Sequence, residues 1–188
     1  MCLSGCGSSK PSTPRPATSQ STSTATDNQS DISSTTEESE SEEESGDSDT
    51  GTYKIGDTVK TDKWEITVKS ITSTDKLSVG YGTYYPDEGD KYVLVELSAK
   101  NVSKESETFL PAYVSSKDIK ATLMYEDYTF MASKPAGYDE DMLGISINPL
   151  SEKTGKIVFK MVSDVADKTS ELNVVFTENN KTYIVTGE

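Results

Sequence analysis

Apolar and polar residues alternate in short runs along most of the chain after Tyr53. In the run from Trp64 to Lys69, apolar side chains occupy every second position and polar side chains lie between them. Because successive side chains of a β-strand point to opposite faces, this period of two predicts a strand with one buried face. Four further segments repeat the pattern. The predicted buried positions are Trp64, Ile66, Val68; Val93, Val95, Leu97, Ala99; Ile157, Phe159, Met161; Leu172, Val174, Phe176; Tyr183 and Val185.

Weaker apolar patterns predict additional strands at 53–59, 108–110, 119–126 and 143–147, which makes eight or nine strands in total. The segment 119–126 is also compatible with a helix, because Ile119 and Leu123 are four residues apart. Turn-forming residues separate the strands at 85–90, at Asn148-Pro149 and at 178–181, and the last of these predicts a hairpin. Short strands without a helical rhythm favour an all-β sandwich or barrel.

The first part of the chain has a different composition. Between residues 7 and 51 the only aliphatic residues are Ala17, Ala25 and Ile32, amid many serine, threonine and glutamate residues. Such a segment buries too little apolar surface to offset its ordering entropy, so we expect residues 7–51 to form a disordered acidic tether. As a random coil it would span roughly 35 to 40 Å. The predicted folded domain is then 52–188, and residues 1–6 form a separate N-terminal motif.

The charge of the chain excludes one large class of partners. The formal net charge is −14, of which ten acidic residues against Lys10 and Arg15 place −8 in residues 1–51 and leave −6 for the rest. An acidic chain without a basic stripe is repelled by a phosphate backbone, so we expect no nucleic acid partner.

The missing residue types limit the chemistry further. Histidine is absent, and the only cysteines are Cys2 and Cys6. The predicted domain therefore contains no Ser/His/Asp triad, no Cys/His dyad, no zinc site built from cysteine and histidine, and no disulfide. We expect a non-enzymatic domain without a cofactor.

The N-terminal residues Leu3-Ser4-Gly5-Cys6 resemble the lipobox of bacterial lipoproteins. The resemblance implies that the Cys6 thiol carries a diacylglyceryl group and that the freed amine can take another acyl chain. It places the protein on the outer face of a bacterial cell membrane. A lipoprotein signal also has a basic segment and an apolar segment before the lipobox, so we expect the natural start to lie upstream of Met1. The alternative is a cytosolic chain with two incidental cysteines.

The order of motifs over residues 53–178 resembles Gram-positive lipoproteins that carry an immunoglobulin-like domain of unknown function, similar to the mycobacterial immunoprotective secreted antigens. The motifs that carry the resemblance are Gly56-Asp57, Trp64-Glu65-Ile66-Thr67-Val68, Tyr92-Val93-Leu94-Val95-Glu96-Leu97, Lys100-Asn101, Asn148-Pro149-Leu150 and Gly155-Lys156-Ile157-Val158-Phe159. It implies an immunoglobulin-like antiparallel β-sandwich of about seven to nine strands, with no catalytic residues. The turn at Tyr125-Glu126-Asp127-Tyr128 lacks the glycine usual in the family, which leaves the strand register there open.

Tyrosines in polar segments suggest a binding function. Tyr81, Tyr84, Tyr85 and Tyr138 each offer a rigid apolar face and a hydroxyl, which suits recognition of an extracellular protein or glycan. They could equally cap the ends of the sandwich core.

Two other functions use the acidic residues. Asp87, Glu88 and Asp90, or Asp139, Glu140 and Asp141, could bind a cation, although their spacing does not match an EF-hand. A pair of carboxylates could also serve a cell-wall hydrolase.

Overall fold

The structure, a computed structural model, describes residues 50–187, with the side chain of Thr50 excluded. Cys6 and most of the predicted tether therefore lie outside the described residues. Within that range no helix is long and apolar enough to cross a membrane. The described residues form thirteen strands: β1 (Thr50–Lys54), β2 (Thr58–Lys60), β3 (Trp64–Thr74), β4 (Leu77–Val79), β5 (Gly82–Tyr84), β6 (Asp90–Asn101), β7 (Glu107–Phe109), β8 (Lys120–Tyr125), β9 (Tyr128–Ser133), β10 (Ile145–Ile147), β11 (Glu152–Val162), β12 (Asn173–Glu178) and β13 (Lys181–Thr186).

The strands form the predicted sandwich. One sheet has the order β1-β13-β12-β8-β9, and the other has the order β9-β11-β6-β3-β2. Strand β9 belongs to both sheets, since its first part pairs with β8 while Ala132 and Ser133 pair with β11. Two small antiparallel ladders, the hairpin β4-β5 and the pair β7-β10, lie outside these sheets.

The hydrophobic core lies between the two sheets and includes nearly all of the positions that the alternation predicted, together with residues such as Phe109, Met142 and Ile147 that it did not. Trp64, Phe159 and Phe176 are almost fully buried, and the predicted faces of β3, β6, β11 and β12 are buried as well. The ring of Trp64 meets Phe109 edge-on, with 5.0 Å between ring centroids. Of the predicted core positions, Tyr183 is only partly buried, and it packs against the core from its edge.

The predicted strand 53–59 is wrong as a single element. Gly56 has φ of +97°, and the chain reverses there between β1 and β2. The reversal sends β1 to one sheet and β2 to the other, so the segment links the two layers. β1 also pairs with β13 in parallel, which departs from the fully antiparallel arrangement that we expected.

The segment 119–126 is a strand rather than a helix. In β8, Ala121, Leu123 and Tyr125 face the core, and a two-residue turn connects the strand to β9. Glu126 supplies the left-handed conformation of this turn, with φ of +50°, where a glycine was expected. The register is settled by the pairing of Tyr125 with Tyr128.

Several elements gave no clear signal in the sequence. These are the strands β4, β5 and β9 and a short helical stretch, α1 (Ser163–Ala166), which is followed by a 3-10 turn (Thr169–Glu171). Each strand is short or mostly exposed, so its sequence shows little alternation. The predicted hairpin at 178–181 is confirmed, with Asn179 and Asn180 both at positive φ.

The sequence Asn101-Val102-Ser103 ends β6 in a turn. The side chain of Asn101 is buried and donates hydrogen bonds to the carbonyls of Glu105 and Ile147, at 2.7 and 2.8 Å. Its oxygen accepts a hydrogen bond from the backbone N–H of Ser103. Asn101 therefore fastens the ends of β6 and β10 together.

Candidate functional site

The connection between β9 and β10, residues 134–144, forms the centre of the candidate site. It runs beside β11, where the backbone N–H of Met142 donates to the carbonyl of Lys156 and the N–H of Lys156 donates to the carbonyl of Glu140. This close approach requires Gly155, because a Cβ atom there would lie 2.5 Å from the carbonyl oxygen of Glu140. Met142 is buried in the core and anchors the connection.

The β4-β5 hairpin docks onto this connection through two of the predicted tyrosines. Tyr81 donates a hydrogen bond to the carbonyl of Ala136 at 2.8 Å, and Tyr84 donates to the hydroxyl of Tyr81 at 2.6 Å. The rings of Tyr81 and Tyr84 are edge-to-face, with centroids 6.3 Å apart. The hydrogen bond with Tyr84 raises the pKa of the exposed Tyr81 hydroxyl. Gly137, at φ of +69°, makes room for the Tyr81 ring.

Tyr138 lies on the same connection, and its side chain is half-buried. Its hydroxyl donates to the Glu140 carboxylate at 3.0 Å, and that carboxylate also accepts a hydrogen bond from the Lys156 ammonium at 2.8 Å. Burial raises the pKa of the Tyr138 hydroxyl, so it stays a neutral donor. The bond from Lys156 holds the pKa of Glu140 below its usual range.

The structure thus brings Tyr81, Tyr84 and Tyr138 to one connection and leaves Tyr85 apart. Tyr85 is 71% exposed, and among residues 50–187 it has no hydrogen bond or ring contact. None of the four tyrosines belongs to the hydrophobic core as the structure describes it.

Two cavities adjoin the connection on its β10 side. The first, of about 290 Å³, opens between the loop that follows β7 and the strands β8 and β9. Its walls are mainly apolar: Leu110, Pro111, Ala112, Val114, Ile119, Ala121, Met131 and Leu143, with Lys120 and Lys134 among the polar residues. We call this the apolar cavity.

The second cavity, which we call the acidic cavity, measures about 380 Å³ and is lined by residues that include Tyr138, Asp141 and Ile145. It shares Lys134 and Leu143 with the apolar cavity. Because these two residues line both, the cavities are adjacent, and we call the pair the groove, with one apolar end and one end that carries a carboxylate.

The loop over the apolar cavity begins with an unusual backbone. Leu110 has φ of +46°, a conformation that non-glycine residues rarely adopt, and its carbonyl and that of Phe109 both accept a hydrogen bond from Gly144. Beyond it, Val114 is 48% exposed and Tyr113 is 96% exposed. Val114 and Met131, which is 71% exposed on β9, both line the cavity and place exposed apolar surface at its mouth.

Asp141 supplies the carboxylate of the groove. Its side chain is only 7% exposed, and one oxygen, Oδ1, accepts the backbone N–H of Leu143 at 3.0 Å. The other oxygen, Oδ2, is buried and receives no hydrogen bond within residues 50–187. Lys134 Nζ lies 3.9 Å from Oδ2 and donates instead to the Leu143 carbonyl. Burial raises the pKa of the Asp141 carboxyl.

The two acidic triplets considered as cation sites are arranged differently. Of the second triplet, Asp141 enters the groove, Glu140 pairs with Lys156, and Asp139 lines a different depression on the other side of Tyr138. Of the first, Asp87 and Asp90 both pair with the ammonium of Lys160. Among the described residues no group of three or more acidic, cysteine or histidine side chains could hold a metal ion.

Sequence reasoning missed the residues of the apolar cavity. The run from Leu110 to Val114 is apolar without alternation in a polar neighbourhood, and that was the available signal. Nothing in the sequence indicated that Met131 and Lys134 lie opposite this run, because β9 showed no strand pattern.

Comparisons with known proteins agree with this fold. A family model described as a domain of unknown function (DUF4352) matches residues 53–181. The uncharacterized protein YxkC of Bacillus subtilis is 44% identical over 54 residues, and this match covers 29% of the chain and only 30% of YxkC.

Solved structures share the sandwich at low identity. An uncharacterized β-sandwich protein of Clostridium difficile is 20% identical with a TM-score of 0.53, over 74% of this chain and 95% of that one. The secreted protein MPT63 of Mycobacterium tuberculosis is 17% identical with a TM-score of 0.51, over 72% of this chain and 95% of that one. These likenesses establish the fold, which is the fold of the mycobacterial secreted protein as expected.

Proposed function

This chain belongs to the family of the domain of unknown function DUF4352, and we propose that its β-sandwich is a non-catalytic binding module displayed at the outer face of a bacterial membrane. The groove carries the proposal, because ligand sites are typically concave, mainly apolar and provided with a few placed polar groups. The partner is an extracellular protein or glycan.

The location rests on the N-terminal motif. A diacylglycerol on Cys6 together with an acyl chain on its amine would give stable anchoring, since one chain alone binds membranes only marginally. The acidic segment after Cys6 would then hold the sandwich away from the anionic membrane surface.

In this proposal the tyrosines act through the shape of the groove. Tyr81 and Tyr84 fasten the β4-β5 hairpin to the backbone of Ala136, and Tyr138 forms a wall of the acidic cavity. Tyr85, which contacts none of these, is a surface residue available to a large partner.

The anchor can be tested by intact mass. We expect protein purified from the native membrane to carry the diacylglyceryl mass on Cys6, and we expect the Cys6→Ser variant to leave the membrane fraction. Cys2→Ser is the matched control and should stay anchored. An unmodified Cys6 in membrane-purified protein contradicts the proposed location.

The binding function can be tested with the full chain made soluble by Cys2→Ser and Cys6→Ser and then immobilised. We expect it to retain a component of the cell envelope, and we expect Val114→Ser, at the groove mouth, to reduce that retention several-fold. Val162→Ser is the matched control, because Val162 is similarly exposed, at 53%, and does not line the groove. Equal retention by both variants contradicts the groove as the site.

A further inference from the structure

One oxygen of the Asp141 carboxylate, Oδ2, is buried and has no hydrogen-bond donor among the described residues. A buried carboxylate oxygen normally accepts hydrogen bonds or pairs with a cation, because burial removes it from water. Oδ2 is buried and receives none from residues 50–187, and the nearest ammonium, on Lys134, stands 3.9 Å away. Asp141 and Lys134 both line the acidic cavity, so a ligand there can provide the donor once the Lys134 side chain moves away from Oδ2.

Lys134 does not fill this role. Its ammonium is directed to the carbonyl of Leu143, and its side chain is 62% exposed. An exposed lysine has several rotamers at little cost, so it can turn toward solvent when another cation approaches Asp141.

The other end of the groove accepts an apolar group of limited size. A volume of about 290 Å³ is at the lower limit of small-molecule sites, which favours a single side chain over a long ligand. Its mainly apolar walls suit an aliphatic or aromatic group and not a sugar, whose hydroxyls would lose their hydrogen bonds with water there.

We propose that the groove binds a peptide segment in which an apolar side chain fills the apolar cavity and a neighbouring lysine or arginine pairs with Asp141. The inference rests on the proposed binding function and names its ligand. The apolar stem of the basic side chain lies against Leu143 and Ile145, and the ring of Tyr138 in the same cavity adds a favourable face for the cation. The net charge of −6 on residues 52–188 attracts a basic segment from a distance.

Two lysines on the walls of the apolar cavity make an acidic peptide the competing ligand. Lys120 and Lys134 both line it. A peptide whose basic residues are replaced by glutamate separates the two cases, because it would need these lysines and would be repelled by Asp141.

The test uses fluorescence anisotropy on the full chain with Cys2→Ser and Cys6→Ser. The probe is a labelled hexapeptide of alternating phenylalanine and lysine, compared with peptides that carry glutamine or glutamate in place of lysine. We expect the lysine peptide to bind roughly ten- to hundredfold more tightly than the glutamine peptide, the range for a hydrogen bond to a charged group. Equal binding of the glutamine peptide, or tighter binding of the glutamate peptide, overturns the proposal.

Matched variants assign the contacts. Asp141→Asn should weaken the lysine peptide about tenfold or more, while Asp139→Asn, which removes the same charge outside the groove, should leave it nearly unchanged. On β9, Met131→Ala should weaken binding several-fold, while Tyr128→Ala, also exposed, should not. Equal effects within either pair overturn the assignment.

The outcome also separates this inference from the proposed function. If no lysine peptide binds but the cell-envelope component is retained in a Val114-dependent manner, the ligand class is wrong and the binding module stands. If neither binds, both proposals fail.

Discussion

The central strands and the groove differ in backbone conformation and in how completely their buried groups are hydrogen-bonded. Strand β6 is paired along its length with β3 on one side and β11 on the other, and its buried face is apolar from Val93 to Ala99. The groove is lined by two connections together with parts of β8 and β9, and it contains Leu110 at positive φ and Asp141 buried without a full set of hydrogen bonds. Locally unfavourable features are expected at functional sites, where stability is given up for binding. The contrast agrees with our proposal that the central strands supply stability and that the groove supplies recognition.

The largest expected effect is the loss of stability when a side chain of the hydrophobic core is removed. Phe159→Ala removes a fully buried ring from the middle of β11 and should lower the free energy of unfolding by about 3 to 5 kcal/mol, through lost burial and the remaining cavity. Urea unfolding followed by fluorescence measures it. The groove variant Met131→Ala should change stability by about 0.5 kcal/mol or less, because Met131 is 71% exposed. Comparable losses would show that the groove is part of the structural core.

An intermediate loss of stability is expected when the contact between β11 and the connection that carries Asp141 is disturbed. Gly155→Val places a side chain where even a Cβ lies 2.5 Å from the Glu140 carbonyl, so the connection must move. We expect a loss of about 1 to 3 kcal/mol, as for other overpacked sites, together with loss of peptide binding. Gly82→Ala serves as control, since a Cβ there meets nothing within 4 Å. Unchanged binding by Gly155→Val would mean that this contact does not position Asp141.

The smallest effect concerns the charge in the groove. Burial raises the pKa of Asp141, so the folded state favours the protonated form. The stability contributed by this carboxyl is fully present below its unfolded pKa and is lost as the pH rises through its folded pKa. We therefore expect Asp141→Asn to be slightly more stable than the parent at neutral pH.

Denaturant titrations of both proteins across acid and neutral pH test this expectation. The difference in stability should vanish as the pH falls below the ordinary range for aspartate. A variant that is less stable at neutral pH would indicate that the ionised carboxylate stabilises the fold and is not kept for binding.

Much of the fold could be predicted from the sequence, because a strand with one buried face carries an apolar side chain at every second position. The faces of β3, β6, β11 and β12 were predicted in this way, and the Asn179-Asn180 hairpin was predicted from its turn residues. The same reasoning missed β9 and the first part of β11. In Glu152–Thr154 the side chains on both faces are exposed, so no alternation marks the strand.

Only part of the candidate site could be predicted from the sequence. The sequence pointed to Tyr81, Tyr84 and Tyr138, which the structure places on one connection, and it grouped Asp139, Glu140 and Asp141 as equivalent acids. The structure separates these acids: one lines another depression, one pairs with Lys156, and one is buried in the groove. Adjacent residues in a connection can face three different environments, and no periodicity records which one each faces.

The sequence by itself determined the all-β class, the composition of the core and the absence of cysteine and histidine from residues 7–188. These follow from residue types and from local alternation, which depend only on neighbours along the chain. The tertiary structure alone decided that Leu110, Met131 and Asp141 surround one groove. Their proximity arises because β9 crosses between the sheets and Gly155 lets the next connection approach β11, and such long-range packing leaves no local pattern in the sequence.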